Sequence, residues 1–140
     1  MAFWTQPTEL IPTDGIVRST ALQATRGAQG DVAKTRAIYE WVVHNTYRET
    51  TVRGCGEGDI KALLEGGNRG GKCADLNALF VGMCRSVGIP ARDLYGVRLA
   101  PSKFGTGNSA AIRPSSPAPS IAAPRPGCAA TAGWPWIRPT

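Results

Sequence analysis

The chain has 140 residues, 42% of them hydrophobic, and a formal net charge of +6, which is enough for one domain with a modest core. Three of the positive charges, Arg113, Arg125 and Arg138, stand in the last 36 residues. The other basic residues are dispersed among acids, with neither a basic helix face nor an interleaved aromatic platform, so a nucleic-acid partner is not expected. No stretch reads as a signal peptide or a membrane span, which argues against a membrane partner and leaves a cytoplasmic location as the default.

In chain order, residues 1–30 read as an extended lead-in punctuated by Pro7, Pro12 and Gly15. Asp31 is placed to cap a helix running to about Thr46, with Ile38, Trp41 and Val42 toward the core. Trp41 is read as core packing rather than as an indole donor in a site. Asp59 is placed to cap a short helix, Ile60 to Glu65, that Gly66 and Gly67 end. A second long helix begins near Lys72, where Leu76, Leu79, Phe80, Met83 and Val87 recur at the spacing of one buried face, and Gly88 and Pro90 close it. Ala91 to Leu99 read as a strand, with Leu94, Gly96 and Arg98 on one side and Tyr95, Val97 and Leu99 on the other.

The chemistry concentrates in Gly70-Gly71-Lys72-Cys73-Ala74-Asp75. Here a thiol opens a helix straight after a glycine turn. The positive end of the helix dipole, the free first-turn amides and the adjacent Lys72 all favour thiolate over thiol. Gly70 and Gly71 would let a substrate carbonyl approach the sulfur closely. A small buried residue filling a helix start is the plainer alternative, but the coincidence of helix start, glycines and cation points to Cys73 as a nucleophile, with Gly70, Gly71 and Lys72 beside the substrate and the oxyanion.

Gly70 through Phe80, followed by Arg85-Ser86-Val87-Gly88-Ile89-Pro90-Ala91-Arg92, resembles the nucleophile helix and following strand of bacterial transglutaminase-like proteins. Upstream, Ala37-Ile38-Tyr39-Glu40-Trp41-Val42-Val43, Asn45-Thr46-Tyr47, Arg53-Gly54-Cys55-Gly56 and Gly58-Asp59 fit the same family in order and spacing. The resemblance implies an α+β, papain-like fold in which the cysteine helix packs on an antiparallel sheet. That sheet carries a histidine and an aspartate further along the chain. It also implies cleavage of, or acyl transfer from, peptide or amide bonds in a peptide or protein substrate. Members are often longer at the N-terminus and exported. Three segments follow: the lead-in 1–30, a partial transglutaminase-like core 31–104, and a tail 105–140.

The general base departs from this pattern. A thiol mechanism needs an imidazole to take the proton and a carboxylate to orient the ring. The chain has one histidine, His44, which precedes the cysteine and lies late on a helix. It reads as an ordinary helix-end residue. After Asp93 no acidic residue occurs.

The tail, crowded with proline, alanine and arginine, reads as disordered or as a shifted reading frame of the missing catalytic region. Read from the third base of each codon into the next, Trp134-Pro135 must give alanine and Trp136-Ile137 must give aspartate. Permitted codons turn Ala130 through Pro139 into Tyr-Gly-Trp-Leu-Ala-Val-Asp-Pro-Thr, similar to the family's aspartate strand. Ser120-Ile121 permits a histidine codon sixteen codons before that aspartate. As written, the polypeptide is expected to hold a nucleophile without its partners and to be inactive.

The four cysteines, Cys55, Cys73, Cys84 and Cys128, show no paired short spacing, so no zinc site is expected, and no other cofactor. Cys73 and Cys84 lie about 16 Å apart along one helix and cannot pair. Cys55 reads as a structural turn residue, the alternative being a regulatory disulfide where the fold brings it near the nucleophile. Two rivals stand beside the hydrolase reading. One is a non-catalytic peptide-binding module on the same fold. The other is a phosphate loop, because Gly66 through Cys73 matches G-x-x-x-x-G-K-[ST] except at the last position; that pattern needs a hydroxyl there and a buried strand before it. The shifted-frame reading is checked by the nucleotide sequence from Phe104 onward. The neighbouring frame is expected to stay open and to carry the histidine and aspartate codons; a stop codon or a missing histidine codon contradicts it.

Overall fold

A computed structural model describes residues 2–96 and 129–131. Its elements are a 3-10 turn at Ala2–Thr5, then α1 (Gly15–Ala24), α2 (Gly30–Asn45), β1 (Tyr47–Arg48), α3 (Ile60–Glu65), β2 (Gly70–Gly71), α4 (Cys73–Ser86), β3 (Leu94–Gly96) and β4 (Ala129–Thr131). Helices and small sheets in one chain make an α+β fold. β1 pairs with β2 in parallel, Tyr47 opposite Gly70 and Arg48 opposite Gly71. β3 pairs with β4 antiparallel, Leu94 opposite Thr131.

α4 is the centre, touching α1, α2, α3, β2, β4 and the first 3-10 turn. Its burial is therefore not confined to one face. Leu79, Met83 and Phe80 are buried as the spacing predicts, but so are Val81, Gly82 and Cys84, while Leu76 and Val87 are half-buried. Gly82 is required by this crowding: a Cβ there would lie 2.2 Å from Ile60 Cδ1 and 3.0 Å from Ile11 Cγ2. The helix ends as the glycine and proline suggest. Gly88, at φ +84°, donates to the Arg85 carbonyl (3.0 Å), and the Ile89 amide reaches back to Cys84 (3.0 Å), the paired bonds of a left-handed C-terminal cap.

α3 forms where Asp59 caps it, the carboxylate accepting from the Ala62 amide at 2.9 Å. α2 spans nearly the expected residues with Ile38 and Val42 buried and Trp41 packed on the core. Asp31, however, sits inside its first turn. Gln29 is the capping position and makes no side-chain bond, so the acid acts on the helix dipole rather than as a cap.

The segment 1–30 is not extended. α1 buries Val17 and Ala21 completely against the core, because Ile16, Val17, Ala21 and Ala24 supply a helical apolar stripe that the surrounding prolines and glycines obscure. The residues before α1 are also tied in. The Ala91 amide donates to Trp4 (3.1 Å), Arg85 donates to Gln6 (3.1 Å), Ile60 donates to Leu10 (3.2 Å), and Arg92 stacks over the Trp4 ring at 4.8 Å.

The predicted strand from Ala91 begins only at Leu94, since the Ala91 carbonyl is taken by Arg85 Nε (2.9 Å) and its amide by Trp4. Val97 to Leu99 lie outside the described residues. In the tail, Ala129–Thr131 form β4; the Ser120-Ile121 and Trp136-Ile137 positions lie outside the described residues.

Candidate functional site

Cys73 is the first residue of α4 and half-buried. Among the described residues the other free thiol is Cys84. The two differ in setting: Cys84 is fully buried in the core, and burial pushes its thiol up to about 12.

The start of α4 is held by Asp75, whose side chain turns back across the first helical turn. Its Oδ2 accepts the Lys72 amide at 2.8 Å, and its Oδ1 accepts the amides of Glu57 (2.9 Å) and Gly58 (2.8 Å). The residue is only 8% exposed, so a carboxylate here depends on those charge-assisted bonds. The Cys55 carbonyl adds a fourth tie, accepting from Ala74 at 2.9 Å. Cys55, itself disulfide-bonded rather than a plain turn residue, is thus tied to the start of α4 through its backbone.

The glycines around this carboxylate follow from it. Gly56, at φ +94°, has no room for a Cβ, which would sit 2.0 Å from Asp75 Oδ2. At Gly71 a Cβ would meet Asp75 Cβ at 2.7 Å, and at Gly70 the Tyr47 ring at 2.7 Å. The space beside Gly70 and Gly71 is therefore filled by Tyr47 and Asp75, a use of the two glycines different from substrate approach.

Lys72 is buried, its ammonium donating to the Val52 carbonyl. The loop supplying that carbonyl is stiffened by Glu49, which accepts from the Thr51 amide (3.0 Å) and hydroxyl (2.9 Å). Those bonds hold its carboxyl below the usual range.

β3 brings up residues that the sequence reading passed over. Asp93 and Tyr95, two apart on an extended chain and so on one side, share a hydrogen bond. Burial pushes the Asp93 carboxyl up, with Arg85 and the Tyr95 hydroxyl opposing. Burial also raises the Tyr95 phenol, followed by the charges of Asp93, Cys73 and Asp75, which places Tyr95 within electrostatic reach of Cys73. The available signal was the alternation itself, extended one step back to Asp93.

His44 stays apart. It is exposed in the last turn of α2, and its Nδ1 donates to the Glu40 carbonyl at 2.6 Å. The described residues thus bring no imidazole to the thiol by the route the chemistry needs. They also hold no group of three or more His, Cys, Asp or Glu placed to bind a metal, and no helix long and apolar enough to cross a membrane. The phosphate-loop reading does not fit: a helix, α3, precedes Gly66, Gly70–Gly71 pair with β1, and Lys72 is engaged by Val52.

A helix opened by a cysteine at the centre of the fold, with an antiparallel strand pair following it in the chain, is consistent with a papain-like fold. A profile of the transglutaminase-like superfamily matches residues 18–120. The chain belongs to that superfamily. It is 41% identical over 96 residues to an uncharacterized protein of Haemophilus influenzae (strain Rd), the alignment covering 68% of this chain and 26% of the relative. The chain thus spans about a quarter of the length of the curated relative it matches. No solved structure is a significant match.

Burial of Cys84 has a consequence in alkali. An exposed thiol in the unfolded chain ionises near 9.0, whereas the folded one holds its proton to about 12. Between those values the unfolded state releases the proton first, so stability is full below pH 9 and falls by roughly 1.4 kcal/mol per pH unit above it. Denaturant titrations from pH 8 to 11 should show this loss in the native chain and a shallower one in Cys84→Ala. Equal slopes would contradict it.

Proposed function

We propose that this chain carries the nucleophile half of a cysteine hydrolase or acyltransferase acting on peptide or amide bonds, with Cys73 as the attacking group. The observation that supports this most is the setting of Cys73: half-buried at the first position of α4 in a transglutaminase-like domain, where the other described free thiol is sealed in the core. Sγ adds to the carbonyl carbon of the substrate, the C–N bond breaks, and the amine leaves with a proton returned by a base. The thioester then passes its acyl group to water or to an amine, releasing the thiol.

Of the first-turn amides, Lys72 is committed to Asp75 and Ala74 to Cys55. The amide of Cys73 itself, on the residue that carries the sulfur, is the donor assigned to the developing oxyanion. Asn77 donates to the Cys73 carbonyl at 2.7 Å, which steadies the following peptide unit, between Cys73 and Ala74.

The base belongs to an intact version of the chain. With its one histidine exposed on α2, this polypeptide is inactive under the proposal, and the shifted frame of 105–140 accounts for the loss. That same absence supports the second reading, a peptide-binding module that keeps the fold without turnover.

Iodoacetamide labelling across pH, resolved by residue, tests the nucleophile. Cys73 should label many times faster than Cys84, and faster than the thiol of a short unstructured cysteine peptide under the same conditions. A rate no greater than that of Cys84 or of the peptide would rule the role out.

A further inference from the structure

A cleft of ≈ 390 Å³ opens on the side of α4 that carries Ala74 and Ala78, one residue on from the nucleophile. That volume is near the small end of ligand sites, roughly 300–1,000 Å³, so it suits a side chain rather than a large cofactor. Its walls are of two kinds. Leu10 and Ile11 on the N-terminal segment face the alanines of α4 and make an apolar floor, while Glu9, Glu57 and Asp93 bring carboxylates. Among the described lining residues there is no lysine, arginine or histidine.

One of those carboxylates is left wanting a donor. Asp93 Oδ1 is buried and has no hydrogen-bond partner, although Tyr95, also lining the cleft, bonds to the same side chain. Arg85, whose charge acts on Asp93, directs its hydrogen bonds to the carbonyls of Ala91 and Gln6. An unpaired buried acceptor is costly unless something donates to it. Apolar walls with an acidic rim match a group whose stem is aliphatic and whose head is a cation, as in lysine or arginine.

We infer that this cleft receives an ammonium or guanidinium group carried by the substrate, next to the carbonyl that Cys73 attacks. The inference rests on the reading of Cys73 as the nucleophile. The N-terminal segment thereby becomes a wall of the substrate site, and Glu9, Glu57 and Asp93 set specificity. The opposite charge is disfavoured on the same grounds, since an acidic side chain would be repelled by three carboxylates.

The test uses the full chain and follows Cys73 alkylation by iodoacetamide in the presence of N-acetylated, C-amidated Gly-X-Gly peptides, with X as lysine, arginine, norleucine or glutamate. A free-amine Gly-Gly-Gly amide separates a peptide N-terminus from a side chain as the source of the cation. The lysine or arginine peptide should halve the rate at a concentration about tenfold lower than norleucine does, with glutamate weakest and the preference eroded by salt. Glu9 and Glu57 are exposed, so a Glu9→Gln/Glu57→Gln variant should fold and lose most of that preference; Asp93→Asn should lose it too. Equal protection by the lysine and norleucine peptides, or an unchanged preference in the double variant, would overturn the inference. The rate without peptide reports on the nucleophile and the ratio between peptides reports on the cleft, so the two failures are distinguishable.

Discussion

A carboxylate in a protein interior is stable only where donors surround it, and Asp75 meets that condition with three backbone amides drawn from two places in the chain. The Glu57 and Gly58 amides come from the loop before α3, and the Lys72 amide comes from the residue that begins α4. One side chain therefore fixes the loop against the helix start, and with it the position of Cys73. Gly56 and Gly71 are glycines because a Cβ at either would collide with this side chain. The Cys55 carbonyl on Ala74 extends the same contact by one more bond.

Local signals served the sequence reading well wherever one element was decided by its own residues. The Asp59 cap of α3, the core face of α2 and the glycine stop of α4 all follow from short-range rules that the structure obeys. Tertiary contacts escaped it. α1 has a modest apolar stripe between glycines and prolines, and its burial depends on α4 lying alongside. The burial of α4 on more than one face had the same cause, since its contacts with several neighbouring elements are not written in its own apolar spacing. At the site, Cys73 was legible because position within a helix is local, whereas the bonds of Asp75 span seventeen or eighteen residues. Asp93 and Tyr95 were passed over because what marks them out is burial in the fold rather than their own spacing.

Membership of the transglutaminase-like superfamily rests on the match over residues 18–120, and the relative from Haemophilus influenzae shares the domain over 26% of a longer protein. Among the described residues the candidate site is Cys73 and its supports, with His44 turned to the helix that carries it.

Hydrogen exchange at the amides that Asp75 holds tests this most directly, comparing the native chain with Asp75→Asn. The isosteric amide keeps one acceptor but presents an NH2 group to a donor on the other side. The amides of Lys72, or those of Glu57 and Gly58, should then exchange at least about tenfold faster, the equivalent of losing a bond to a charged acceptor. Protection across Leu79 to Cys84 in the core of α4 should persist. If the amides at 57, 58 and 72 keep their native protection in the variant, the carboxylate does not hold the start of α4 in place.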